Sequence, residues 1–348
     1  MLTPLLPNKE LFTLFQLIKE ARRIVVCAHR SPDGDALGSS IGWTCYLRGL
    51  KKTTNIVMPN AFPDFLRSTP GAGMTVFFDK QNELALHLIY EADLIFCLDF
   101  NALSRLEGMG EDIARAKAKK VIIDHHLDPD NSFTSLTISH PECSSTSEII
   151  FRLIEQLGGF DTMTQDAAAA IYTGMMTDTG GFTYNSNNPE IYTIISLLLT
   201  KGIDKDQLYR NVFNNYTESR IRLMGYVLFE KLRFLADGRA SLFTLTRSDL
   251  ENFHYIRGDA EGFVNLPLQV KGNKLSISLR EDTETELIRV SLRSVGDFPC
   301  NRMAAEFFNG GGHANASGGR LPWPMESAIA TVEKAVEAYL PLLKTSTT

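Results

Sequence analysis

The sequence predicts an α/β protein: a parallel-sheet N-terminal domain, a helical connection, and a smaller mixed-sheet α/β domain at the C-terminal end. Three observations carry this. Short β-branched runs alternate with longer amphipathic ones from residue 24 to about 158, as strands separated by crossover helices do. Helical patterns then dominate to about residue 232, and past that point strand-like segments return between polar turns. The chain of 348 residues also exceeds one average domain of about 150, so two cores are expected.

In chain order, IVVCA (24–28), TNIVM (54–58), MTVFF (74–78), DLIFCLDF (93–100) and KKVIIDHH (119–126) read as strands covered on both faces. Helices fit between them at 36–49, 83–91 and 111–119. SSTSEIIFRLIEQLG (144–158) opens on a Ser/Thr-rich N-cap signal and closes at Gly158–Gly159. SLFTL (241–245), KLSISLR (274–280) and IRVSLRS (288–294) are the later strands, followed by a glycine-rich segment and a helix near 325–343. The boundary falls in the helical stretch around 190–235, giving a first domain over 1–195, a linker over 196–235 and a second domain over 236–348. No internal repeat or low-complexity tract interrupts this plan.

Hydrophobic residues at 44%, charged at 22% and aromatic at 9%, with 14 Pro and 25 Gly, exclude disordered and collagen-like classes. The N-terminal MLTPLLPNKELFTLFQ lacks a basic lead into an unbroken apolar stretch, and no apolar run approaches about 18 residues. No membrane association is therefore expected. Five cysteines (27, 45, 97, 143 and 300) form neither an even set nor a CxxC pair, which argues against a disulfide framework and a zinc knuckle and for a reducing cytoplasm. A net charge of −6 gives no sequence-wide attraction for a long polyanion, so an anionic substrate must be captured locally.

The densest chemical signal is HRSPDGDALGSS at 29–40, between a buried strand and a helix. Ligands in open α/β sheets bind beyond the carboxyl ends of strands, where this segment lies. Asp33 and Asp35, two apart around Gly34, can be aimed at adjacent but different points; as turn formers beside Pro32 they would need no ligand. The placement recurs, however. Asp99 ends LIFCL, Asp124, His125 and His126 end VII, and Asp178 follows AAAAIYTGMM. Carboxylates converging on one sheet edge would cost several kcal/mol per uncompensated ion, a penalty that divalent cations remove. A mostly carboxylate donor set with some imidazole and no thiolate favours Mn²⁺, with Mg²⁺, Co²⁺ or Fe²⁺ left open.

HxxPDxD at 29–35, the strand-end aspartate at 99, DHH at 124–126 and TDTGGF at 177–182 resemble the four ordered motifs of the DHH phosphoesterase superfamily. VSLRS (290–294) and GGGHANASGG (310–319) resemble its DHH-associated C-terminal domain, so the likeness spans about residues 24 to 321. The subgroup it most resembles is the oligoribonuclease and pAp-phosphatase type, often labelled exopolyphosphatase-related. The resemblance implies a DHH catalytic domain and a substrate-gripping second domain, with the site in the cleft between them. It implies that His29 and Asp33 hold one metal ion, that Asp35, His125 and Asp178 hold another, and that Asp99 bridges both. It assigns Asp124 to orienting an imidazole and His126 to the substrate, as phosphate ligand or leaving-group acid. The implied chemistry is two-metal hydrolysis, an activated water attacking phosphorus in line.

The three glycines Gly310, Gly311 and Gly312 can close backbone N–H groups on an anion, with His313, Arg320 and the strand residue Arg293 nearby. A plain turn explains the same glycines. Between 239 and 320, ten Lys/Arg balance ten Asp/Glu, which leaves no basic stripe for long chains. His87, His140 and His254 match no motif position, and Arg105 is only a weak candidate for the cleft.

The expected function is metal-dependent hydrolysis of very short oligoribonucleotides, linear dinucleotides and 3′-phosphoadenosine 5′-phosphate (pAp). Partners are therefore small nucleotides, with no long duplex nucleic acid and no membrane. An inorganic pyrophosphatase or exopolyphosphatase shares the metal motifs, and a non-catalytic nucleotide sensor is the alternative of a different class. Oligomeric state is left open, a homodimer included.

Overall fold

The computed structural model describes residues 2–256 and 258–346, and the chain divides into two compact units, Met1–Asn215 and Tyr216–Thr348. The first unit contains α1 (Asn8–Glu20), β1 (Arg23–Ala28), α2 (Gly34–Gly49), β2 (Thr53–Met58), β3 (Thr75–Phe77), α3 (Asn82–Tyr90) and β4 (Leu94–Leu98). It continues with α4 (Gly108–Arg115), β5 (Lys119–Asp124), β6 (Leu136–Ser139), α5 (Thr146–Gln156), α6 (Gln165–Asp178), α7 (Pro189–Leu199) and α8 (Lys205–Phe213).

All six strands pair in parallel in the order β3-β2-β1-β4-β5-β6. The order reverses direction between β1 and β4, the point at which open α/β sheets form a ligand crevice. Strand residues alternate between two cores, as the period-2 pleat requires. Ile24, Val26, Phe96 and Ile123 face the core built with α1, α2, α5 and α6, whereas Val25, Cys27, Ile95 and Ile122 face the one built with α3 and α4.

Helices α2 and α6 approach unusually closely. Gly34, Gly38 and Gly42 recur every fourth residue on α2, and a Cβ on Gly38 would lie 2.4 Å from the Ala170 carbonyl oxygen. Only a bare backbone fits there, so the sequence of small residues sets the spacing between the helices that carry Asp35 and Asp178.

The second unit contains α9 (Glu218–Tyr226), a π-helical turn at Val227–Lys231, β7 (Arg233–Leu235), β8 (Ala240–Leu245), α10 (Arg247–Asn252), β9 (Leu275–Glu281) and β10 (Leu287–Ser294). After these come α11 (Cys300–Phe307), β11 (Gly311–His313), β12 (Ala316–Pro322), α12 (Met325–Ala338) and α13 (Leu340–Thr345). Its sheet runs β11-β12-β10-β9-β8-β7 and is mixed, β8 and β9 pairing in parallel and the other described neighbours antiparallel. Ile277, Leu279, Val290 and Leu292 pack with Met303 and Val332 from α11 and α12 on one face. Phe243 and Leu245 pack with Leu223 and Phe263 on the other.

The predicted class is observed, a parallel-sheet α/β unit followed by a smaller mixed-sheet one. Several elements differ from the sequence reading. The helix expected over 111–119 ends at Arg115, because Lys119 already pairs with Leu94 in the sheet. The helix expected over 325–343 breaks into α12 and α13. Helix α1 and strands β6, β7, β11 and β12 are additional. The glycine-rich segment is sheet rather than turn, and a Cβ on Gly319 would come within 2.3 Å of the Phe308 carbonyl oxygen. The stretch 196–235 is shared between the units: Leu198, Leu208 and Val212 join the first core, Leu223 and Val227 the second. All five cysteines are free thiols. Among the described residues no helix is long and apolar enough to cross a membrane.

Candidate metal centre

The sequence-predicted donors meet beyond the carboxyl ends of β1, β4 and β5. His29 follows β1, and its Nδ1 lies 2.9 Å from the Arg30 carbonyl oxygen. A carbonyl can only accept, so Nδ1 donates and Nε2 is left as the coordinating atom. That Nε2 lies 3.4 Å from Asp99 Oδ2 and 3.8 Å from Asp33 Oδ2. Asp33 caps α2, its Oδ1 accepting from the N–H groups of Asp35 and Ala36 at 3.0 Å, which leaves Oδ2 on the side of His29.

Asp35 and Asp99 are almost fully buried, at 1% and 2% exposure. Asp99 leaves β4 in the left-handed region at φ 63°, held there by an N–H bond of 3.1 Å to the Ile123 carbonyl oxygen. Its two oxygens face different partners: Oδ2 faces His29, while Oδ1 lies 3.6 Å from His125 Nε2. His125 Nε2 is also 3.5 Å from Asp178 Oδ2, at the C-terminal end of α6.

Three donor groups result: His29 with Asp33 and Asp99; Asp35 with His125 and Asp178; and Asp99 with His125 and His126. Asp99 belongs to two of them. Separations of 3.4–3.8 Å are too long for hydrogen bonds but suit donors that share a cation about 2.0–2.6 Å from each. The electrostatics agree. Burial first, then the charges of Asp35, Asp33, Asp178 and Asp124, hold the Asp99 carboxyl well above its ordinary range. Burial likewise raises Asp178, with Asp35 and Asp33 adding to it, and raises Asp35, where His125 and the bonds from Ser147 act in the opposite direction. Carboxylates so crowded, interleaved with imidazoles whose coordinating nitrogens point inward, fit a divalent cation.

Asp124, at the end of β5, is fully buried, and its Oδ1 lies 2.7 Å from His126 Nδ1. This bond fixes the His126 ring and directs Nε2 away from Asp124. Arg105 is placed differently from the donors: its carbonyl oxygen accepts from the Arg30 N–H, bracing the loop that carries His29.

In the second unit, Arg293 lines a cavity of about 590 Å³ together with Arg280, Arg289, Arg320, Ser278 and Ser291. Arg289 is the register partner of both Arg280 and Arg320, so three guanidinium groups form a row across β9, β10 and β12. Like charges directly opposed in a sheet repel. Asp282 pairs with Arg289 and the Tyr255 hydroxyl bonds Arg280, offsetting part of that cost. The balanced charge count of this segment thus conceals a local concentration of cations, and Arg280 and Arg289 were not singled out by the sequence reading. Gly310 precedes the edge strand β11, which contains Gly311, Gly312 and His313, while Gly318 and Gly319 of β12 line the cavity.

Residues 23–175 match the family described as DHH family, N-terminal domain, and residues 249–340 match the DHHA1 domain. A crystal structure of an exopolyphosphatase-related protein from Bacteroides fragilis is 53% identical, with a TM-score of 0.96 over 99% of this chain and 100% of that one. A bifunctional oligoribonuclease and PAP phosphatase, NrnA, from Thermus thermophilus is 29% identical over 91% of this chain and 90% of its own. The protein of the same name from Bacillus subtilis is 27% identical over 86% and 89% respectively.

Proposed function

The chain belongs to the DHH family and carries a DHHA1 domain, and on that premise we propose that it hydrolyses phosphoester bonds in very short oligoribonucleotides, linear dinucleotides and pAp. The observation that carries the reading is the overlap of three donor groups, in which Asp99 and His125, together in one group with His126, also belong respectively to the group of His29 and Asp33 and to the group of Asp35 and Asp178. Two divalent ions, Mn²⁺ favoured, held by His29, Asp33 and Asp99 on one side and by Asp35, His125, Asp178 and Asp99 on the other, would supply Lewis-acid activation of water and neutralise charge on the phosphoryl oxygens.

The remaining roles belong to side chains. His126, oriented by Asp124 through Nδ1, presents Nε2 to a phosphate oxygen or gives a proton to the leaving oxygen. His29 is held in the coordinating tautomer by the Arg30 carbonyl. Arg280, Arg289, Arg293 and Arg320 give charge-assisted bonds to terminal phosphates of a small nucleotide. Gly310, Gly311, Gly312 and His313 are assigned to the same substrate end. Four arginines gathered in one cavity, and not spread along a track, suit the few phosphates of a small nucleotide.

The test is product analysis with Mn²⁺ at fixed salt on pAp, RNAs of two, three, five, ten and twenty nucleotides, pyrophosphate and tripolyphosphate. The reading expects kcat/KM to fall as RNA lengthens. Highest turnover on pyrophosphate or tripolyphosphate would select the polyphosphatase alternative. Rising kcat/KM toward twenty nucleotides would reject the small-nucleotide assignment, and binding without turnover would make the protein a sensor.

A further inference from the structure

We propose that Thr146, the first residue of α5, is a positioning residue that fixes the spacing of the two donor groups by holding one carboxylate from each. The proposal rests on reading those groups as ligand sets. Thr146 donates its backbone N–H to Asp35 Oδ2 at 2.6 Å and its hydroxyl to Asp99 Oδ1 at 3.0 Å. Asp35 belongs to the group with His125 and Asp178, Asp99 to the group with His29 and Asp33. A single residue therefore ties a carboxylate of one set to a carboxylate of the other. Ser147 completes the grip on Asp35, its N–H donating to Oδ1 at 2.8 Å.

The first N–H groups of a helix have no intrahelical acceptor. On α5 the first two donate to Asp35, and the third, that of Glu148, donates to the Ser145 hydroxyl at 3.0 Å. The helix end therefore orients the Asp35 carboxylate through two parallel bonds and places its positive dipole against a buried anion.

This anchor is itself fixed. Glu148 accepts from the Ser144 N–H and hydroxyl and from Arg152, which reaches on to Glu190 at 2.7 Å. The N-terminal turn of α5 is thus pinned from behind, and Asp99, held in its left-handed backbone conformation, has little freedom to follow a displaced partner. Loss of the Thr146 hydroxyl would release Asp99 Oδ1 to rotate about χ2 and lose its alignment toward His125 Nε2, 3.6 Å away, the member of the Asp35 group that it faces.

The experiment uses full-length protein stripped with EDTA, titrated with Mn²⁺ by calorimetry and by electron paramagnetic resonance, and then assayed on pAp at saturating Mn²⁺. Thr146→Val removes the hydroxyl at nearly constant volume. It is expected to weaken Mn²⁺ binding about 10- to 100-fold and to lower kcat with KM for pAp unchanged. Thr146→Ser, which keeps the hydroxyl, should restore both. Wild-type affinity in Thr146→Val, or equal loss in Thr146→Ser, would overturn the proposal. If Thr146→Val does not fold, Thr146→Ala carries the same comparison. Failure of wild-type protein to bind Mn²⁺ would instead overturn the reading of the donor groups themselves.

Discussion

Asp99→Asn is expected to make the metal-stripped protein more stable while nearly abolishing its activity. The Asp99 donor atom lies within 4.8 Å of that of Asp33, and Asp35, Asp178 and Asp124 add to the same field. Two unit charges about 5 Å apart at an effective dielectric of about 20 repel by roughly 3 kcal/mol, which exposure of the Asp33 side chain reduces. With the buried partners included, neutralising Asp99 relieves on the order of 2–3 kcal/mol. Asparagine keeps the shape, tolerates the left-handed φ of 63° and still accepts from Thr146. For a unit of this size the gain corresponds to roughly 5–10 °C in Tm, measured by calorimetry in EDTA near pH 7.5.

The pH dependence follows from the sign of the shift. Asp99 has a folded-state pKa raised above its unfolded value, so its penalty is absent below about pH 4 and grows as pH rises toward the folded pKa. The Tm difference between variant and wild type should therefore vanish near pH 4 and be largest at neutral pH. Added Mn²⁺ should raise wild-type Tm more than that of the variant. A metal-stripped Asp99→Asn protein melting at or below wild type at neutral pH would refute the argument that carboxylate crowding stores energy in this site.

Adjacent histidines should behave oppositely: His125→Ala loses bound metal, whereas His126→Ala keeps it and lowers kcat by about 10²-fold, both measured by elemental analysis alongside initial rates. Gly38→Ala pushes a methyl toward a carbonyl oxygen 2.4 Å away, so denaturant melts should show about 1–3 kcal/mol of destabilisation. The same variant should bind Mn²⁺ more weakly, because separating α2 from α6 moves Asp35 from Asp178.

Several donor segments were legible in the linear sequence because they close an apolar run: IVVCA before His29, LIFCL before Asp99, VII before the DHH triplet that contains His125; Asp33 and Asp35 were legible instead from their spacing around Gly34. A hydrophobic strand that ends in an acid is easily read, and sheet topology gathers such ends without further information. The start of α5 was legible for a similarly local reason, as a Ser/Thr-rich capping signal, which the structure places at Ser145. Thr146 was not, since it lies 111 positions from Asp35 and 47 from Asp99 and acts only through tertiary pairing. The arginine row was hidden likewise: positions 280, 289 and 320 become neighbours only through strand register. Strands β11 and β12 escaped because glycine argues for turns by propensity, although this sheet needs glycine where Phe308 passes beside Gly319.

The donor centre and the arginine cavity can be altered independently of one another. Every donor of the candidate centre, and Thr146 with them, comes from Met1–Asn215, whereas the arginine-lined cavity is formed entirely within Tyr216–Thr348. Substitutions at Arg280, Arg289 or Arg320 fall on strands with no donor residue among them, so under the proposed function a change in the phosphorylated molecule gripped would leave the donor groups intact. The reverse is far harder, because Asp99 serves two donor groups at once and any change there is felt by both.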